Sequence, residues 1–146
     1  MNNLTQFYKL LKGFCEDHNM INEFFLLGSS EDLDAREFDY RTFVMIPSAS
    51  NISRDFANPV YSLTFDCVVI DKCVSQDDLA SIISTEENLF VVGQIQDWLI
   101  QQDENCYIDE VEVQNYISEE SNITTAFFQL TVLFARKNYK VAIDNA

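Results

Sequence analysis

The chain has 146 residues, 47% of them apolar and 13% aromatic, and 24 acidic against 9 basic side chains leave it a net charge of −15 at pH 7. That length supports one domain burying about 70% of the surface of its unfolded chain, and the charge opposes binding to a nucleic-acid backbone or an anionic membrane. With only 3 Gly and 2 Pro, the chain lacks material for phosphate-cradling loops and flexible linkers.

Residues 3–18 predict an amphipathic helix, with Leu4, Phe7, Leu11 and Phe14 on one stripe and Lys9 and Lys12 outside it. Gly13 costs such a helix about 1 kcal/mol relative to Ala and marks a point where it could end early. Residues 22–27 predict a first strand closed by Gly28, and the acidic stretch 29–40 reads as a loop or a short helix. Residues 43–46 are a second short strand, stopped by Pro47. The polar run 48–59 has a length at which loops tend to carry function, and is a candidate hairpin arm. The clearest strand is 60–71, where Tyr61, Leu63, Phe65, Cys67 and Val69 alternate onto one apolar face.

A long helix is predicted over 77–102, capped by Asp77 or Ser75, with Leu79, Ile82, Ile83, Leu89, Val92, Ile95 and Leu99 as its buried stripe. The run 84–88 interrupts that stripe and predicts a kink or a split into two helices. Residues 107–116 alternate weakly, Val111 and Val113 inward and Glu110 and Glu112 outward. Residues 125–135 alternate strongly, with Phe128, Leu130, Val132 and Phe134 on one face and 118–122 as the hairpin connection before them. The segment 137–146 is a polar tail, expected to have little order of its own. The expected fold is α+β: one domain over residues 1–136, with a mixed or antiparallel sheet of about five strands and two main helices on one face.

Chemistry is harder to find. His18, the only histidine, stands at the end of the first predicted helix beside Cys15, Glu16 and Asp17, which point in different directions and form no metal site. It suits the helix dipole better. Cys15, Cys67, Cys73 and Cys106 contain no C-x-x-C pair, and Cys67 on the apolar strand face is a small hydrophobe. No basic-then-apolar leader opens the chain, so folding in a reducing cytosol with free thiols is expected. The acidic stretch 31–39 lacks the Gly and the spacing of a calcium loop. Glu86, Glu87 and Asp97 are ordinary helix-surface acids, and Trp98 is a core or interface anchor. No nucleophile has a base beside it, no basic patch forms, and no apolar run nears the roughly 20 residues that cross a bilayer. Neither a cofactor, a metal nor an enzymatic activity is expected.

Several stretches in this order carry a family likeness. Phe43-Val-Met-Ile-Pro47 closes the second strand, and Phe65-Asp-Cys-Val-Val-Ile-Asp71 ends the third in an Asp. Asp77-Asp-Leu79 opens the long helix, which runs on to Asp97-Trp-Leu99. Val111-Glu-Val113 and Phe127-Phe-Gln-Leu-Thr-Val-Leu-Phe134 close the chain's ordered part. In these features the chain resembles the tail-terminator and neck-ring proteins of tailed bacteriophages, from the first helix to Arg136. The resemblance implies a structural virion protein at the head–tail junction, assembled in the bacterial host cytoplasm. Its partners would be copies of itself in a closed ring, six- or twelve-fold, and adjacent portal, neck or tail proteins. DNA would pass through without specific binding, and no membrane is involved. Within that expectation, Asn51, Ile52, Arg54 and Phe56 are candidate residues of an inter-subunit arm, suited to a head-to-tail contact that closes a ring. Glu110, Glu112, Glu119 and Glu120 are candidates for an acidic surface facing the channel.

Two other classes compete. An acidic DNA-mimic inhibitor of phage origin would account for the charge, but needs carboxylates spaced like phosphates on one face, and here they are spread over loops and strand ends. A small-molecule enzyme on an α+β sandwich would need polar pocket residues that the chain does not offer.

Overall fold

The computed structural model describes residues 4–29, 39–52, 60–73, 78–102, 106–108, 114–118 and 123–135. Its elements are α1 (Leu4–Asp17), β1 (Glu23–Leu26), β2 (Thr42–Ile52), β3 (Val60–Lys72), α2 (Asp78–Gln102), β4 (Cys106–Ile108), β5 (Gln114–Ser118) and β6 (Ile123–Ala135). The fold is α+β, with one mixed sheet and two helices among the described residues. The strands lie in the order β1-β2-β3-β6-β4, with β5 also on β6. Among the described strands only the β1–β2 ladder is parallel. Because β3 occupies one edge of β6 along its whole length, β4 and β5 must share the other, end to end. Six described strands therefore make a sheet five strands wide, close to the expected five.

Both helices cover one face. Phe7, Leu11 and Cys15, one turn apart on α1, and Val91, Val92, Ile95 and Leu99 on α2 are buried against Phe43, Met45, Phe65, Cys67, Val69 and the even-numbered face of β6 from Ala126 to Phe134. Aromatic rings organise this layer. Phe43 stacks on Phe24 (5.4 Å) and, nearly parallel, on Phe128 (6.0 Å). The strand between the last two, β3, presents the smaller Cys67 and Val69 at that level. The opposite face carries a smaller cluster of Leu27, Val44, Val68 and Ile70.

The helix expected over 3–18 is α1, which continues through Gly13 to Asp17, held by the buried residues on either side of it. Three expectations change. β2 continues through Pro47 to Ile52. Proline is tolerated at irregularities and edges, and here the register shifts between Pro47 and Ala49 while β1 has ended opposite Met45. The strand expected over 107–116 is, among the described residues, two short strands, with Ile108 paired to Leu130 and Gln114 to Phe127. Finally, α2 is not split, and the expected apolar stripe is buried only in its second half, at Val92, Ile95 and Leu99. It is one helix of 25 residues whose buried side chains include Ser84 and Asn88, while Leu79, Ile82, Ile83 and Leu89 are exposed. The cap candidates Ser75 and Asp77, the acidic stretch 31–38, the connection 119–122 and the tail 137–146 lie outside the described residues.

Candidate functional site

The register places three polar residues in one row across the sheet. Thr42 pairs with Ile70, which sets Arg41 beside Asp71, and Asp71 pairs with Thr124. Above the row, Ser84 and Asn88 stand one turn apart on the inner side of α2. Arg41 donates through Nε to Asn88 Oδ1 (2.8 Å) and through Nη2 to Asp71 Oδ2 (2.8 Å) and Glu87 Oε2 (2.7 Å). Ser84 Oγ donates its one proton to Asp71 Oδ2 (2.7 Å), so it can only accept in its contact with Thr124. Thr124 therefore donates to Ser84 and accepts from Asn88 Nδ2 at 3.0 Å. The bonds close a cycle with two arms, both running from Arg41 as donor to Asp71 as acceptor: one direct, the other through Asn88, Thr124 and Ser84.

This cycle explains why polar residues interrupt the apolar stripe of α2: they complete a guanidinium's bonds inside the protein. Arg41, Asn88, Ser84 and Thr124 are buried, and no described buried side-chain nitrogen or oxygen lacks a hydrogen-bond partner. Chemically the cluster is a fastener. The Ser84 proton goes to a carboxylate already held by Arg41, and every donor atom named is spent on joining β2, β3 and β6 to α2. Sequence reasoning missed it. The available signal was the i, i+4 spacing of Ser84 and Asn88, with Asp71 ending the preceding strand.

His18 lies just past α1, not in it. Its Nδ1 accepts from the Met20 amide (3.0 Å), so Nε2 carries the proton and donates to Gln94 Oε1. Phe14 packs edge-on against His18 and stacks on Trp98 at 5.0 Å, making Trp98 the anchor between the two helices. Cys15, Cys67 and Cys73 are free and buried. Burial, aided by Glu16, pushes the Cys15 thiol up to about 12, and burial pushes Cys67 well above its ordinary value, so neither supplies a thiolate nucleophile near neutrality. Among the described residues no group of three His, Cys, Asp or Glu could hold a metal ion. No described helix is long and apolar enough to cross a membrane.

The candidate arm is half visible. Residues 49–52 of β2 pair with 64–61 of β3, so the run read as a connector begins as a strand that extends the hairpin. Pro47, Ser48, Ala49, Ser50 and Asn51 are all exposed. Asn51 pairs with Ser62 and Ile52 with Tyr61; Arg54 and Phe56 lie outside the described residues. So do Glu110, Glu112, Glu119 and Glu120. Glu86 and Asp97 do not face each other: both are exposed on α2, while their neighbour Glu87 turns to Arg41. No family model matches the chain, and no curated protein does.

Proposed function

We propose that this chain is a structural subunit of tail-terminator type that assembles with copies of itself into a closed ring at the head–tail junction of a tailed phage. The observation carrying this reading is the β2–β3 hairpin. Beyond Met45, β2 pairs with β3 on one side and with no other strand among the described residues. Open strand edges are where a second chain adds by backbone pairing. The far edge of the sheet, built from β4 and β5, differs from it in sequence and length, and two unlike surfaces suit a head-to-tail contact that closes into a ring. Pro47 and the register shift beside it limit how far such pairing can run, which favours a defined neighbour over open-ended stacking. A net charge of −15 suits a wall that DNA passes without adhering. The same reading makes portal, neck or tail proteins the axial neighbours, the virion the final location and the bacterial cytoplasm the place of assembly.

Light scattering coupled to size exclusion, with electron microscopy of the eluted species, tests this. The wild-type chain, alone or with an axial neighbour, is expected to yield closed rings. Ala49→Glu with Asn51→Glu places charge on the exposed edge and should leave a folded monomer. A chain that remains monomeric at every concentration, alone and with portal and tail proteins, overturns the proposal.

A further inference from the structure

The outer side of α2 is apolar where it meets solvent. Ile82, Phe90 and Ile100 are 61%, 55% and 72% exposed, with Ile83 and Leu89 alongside. Ile82 and Ile100 are about five helical turns apart and project the same way. Between them on this side stand the exposed Glu86 and Asp97, and α2 has no Lys, Arg or His in its 25 residues. Gly93 also lies here. A Cβ at that position would meet nothing within 4 Å, so the bare backbone serves no contact inside the described subunit and leaves a low point in the ridge. Soluble domains rarely leave so continuous an apolar face uncovered.

We infer that this face receives residues 136–146 of a second copy of the chain, an inference that rests on the self-assembly proposed above. That segment, outside the described residues, reads Arg-Lys-Asn-Tyr-Lys-Val-Ala-Ile-Asp-Asn-Ala and holds three of the chain's nine basic side chains, Arg136, Lys137 and Lys140, next to Val141 and Ile143. A short basic and apolar stretch is the complement of an apolar stripe carrying carboxylates and no cation. The α2 helix of a second copy is not, because it would set Glu86 and Asp97 against like charges.

The chain's own residues 136–146 cannot cover the stripe along its whole length. Thr124 meets Ser84 and Asn88, and Val132 pairs with Cys106, which follows α2. β6 and α2 thus run in the same direction, and Ala135 lies past the C-terminal end of the helix. Rounding a helix about 10 Å across takes roughly 15 Å, and doubling back from Ile100 to Ile82 another 27 Å or so. Residues 136–146 reach about 40 Å at most, just short of the roughly 42 Å needed to arrive at Ile82. A neighbour's segment arriving from outside has no such detour.

The test uses a fluorescent synthetic peptide of residues 136–146, titrated by anisotropy into the full chain carrying Lys137→Glu and Lys140→Glu, so that the resident segment does not compete. The peptide is expected to bind, to bind more weakly in raised salt, and to lose at least about tenfold in affinity when Phe90→Ser is added. Phe90 is exposed, so that variant should keep the wild-type far-UV spectrum and melting temperature. In sedimentation velocity the wild-type chain should assemble with concentration and Phe90→Ser should not, while Asp97→Lys should restore assembly to Lys140→Glu. A peptide that fails to bind, or binds equally well with Phe90→Ser, while wild type still assembles, overturns this docking and leaves the ring standing. A peptide that binds while wild type stays monomeric at every concentration overturns the second copy as occupant.

Discussion

Replacing Arg41 by Met retains much of the side chain's length and removes its charge and donors. The Arg41 side chain is 8% exposed and that of its partner Asp71 17%, so the variant leaves a carboxylate inside the protein with Ser84 as its one named donor. Removing one member of a buried ion pair costs about 3–5 kcal/mol, mainly because the other charge is stranded. Glu87 adds little: at 46% exposed it returns to water, and a pair of that kind is worth no more than about 1 kcal/mol. Asn88 loses the donor to its Oδ1 but keeps Thr124. Arg41→Met should therefore cost about 3–5 kcal/mol, a large share of the roughly 5–15 kcal/mol that holds a domain together. In urea, with a slope of about 2 kcal/mol per molar, the midpoint should fall by about 1.5–2.5 M. The double variant Arg41→Met with Asp71→Leu should recover part of the loss, since the two residues are directly bonded and coupling energies of about 0.5–3 kcal/mol are usual for such pairs. A single-variant loss under about 1 kcal/mol, or strict additivity in the double variant, would refute the fastener.

Further outcomes follow from the same contacts. Asn88→Leu, read by thermal and urea unfolding, should cost about 2–4 kcal/mol despite its similar volume, because Arg41 Nε and Thr124 each lose a buried partner; a neutral result would mean that α2 can turn to hide the change. Cys15, pushed up to about 12, keeps its proton in the fold after the unfolded chain has lost it at about 9, so its share of stability is complete below pH 9 and declines by about 1.4 kcal/mol per unit as pH rises toward 12. Urea unfolding at about pH 8 and about pH 11 should show that decline, and Cys15→Ala should make it shallower, leaving the share of the likewise raised Cys67; equal slopes in both proteins would contradict the assignment. In a Cys106→Ser background, the three buried thiols should resist alkylation in native buffer and react together on unfolding. Gly13→Ala should raise stability by about 0.5–1 kcal/mol, since a Cβ there meets nothing within 4 Å; a lower melting temperature would argue that the site is needed for something other than the helix.

The strands of the sheet's centre were legible because each carries its own period. Phe65, Cys67 and Val69 on β3, and Phe128, Leu130, Val132 and Phe134 on β6, declare an inner face without help from the rest of the chain, and the structure buries all seven. What periodicity could not reveal was a polar residue placed inside on purpose. Ser84 and Asn88 read as an interruption because hydropathy scores a residue by its own transfer cost, whereas burial here depends on Arg41, more than forty positions away. Pro47 misled for a related reason: proline is a barrier only where its missing N–H would be needed by a neighbouring strand, and the end of β1 and the register shift were not visible locally. At the candidate arm, exposure and polarity were legible, and the strand pairing of 49–52 was not, since it needs the partner residues 61–64.

The buried polar pair Ser84 and Asn88 and the exposed aliphatic stripe bear on one another through the phase of α2. Ser84 and Ile82 are two positions apart, about 200° around a helix, so burying one turns the other outward. The same holds for Asn88 and Phe90, and here Asn88 is fully buried and Phe90 is 55% exposed. Had the helix followed its aliphatic residues inward along the first half, Arg41 and Asp71 would face Ile82 and Ile83, stranding an ion pair at a cost of several kcal/mol. Leaving those apolar side chains in water instead forfeits about 1.5–3 kcal/mol for each one that could have been fully buried. Two or three of them therefore offset the gain from the polar cycle. For an isolated subunit the two phases are closely matched. Cover on the outer face shifts the balance: it returns the forfeited burial and leaves the Arg41 cycle intact, so the observed phase is the one that gains most from a neighbour. On this account the polar fastener inside and the apolar stripe outside are two consequences of a single rotation, and weakening the first should loosen whatever assembles on the second.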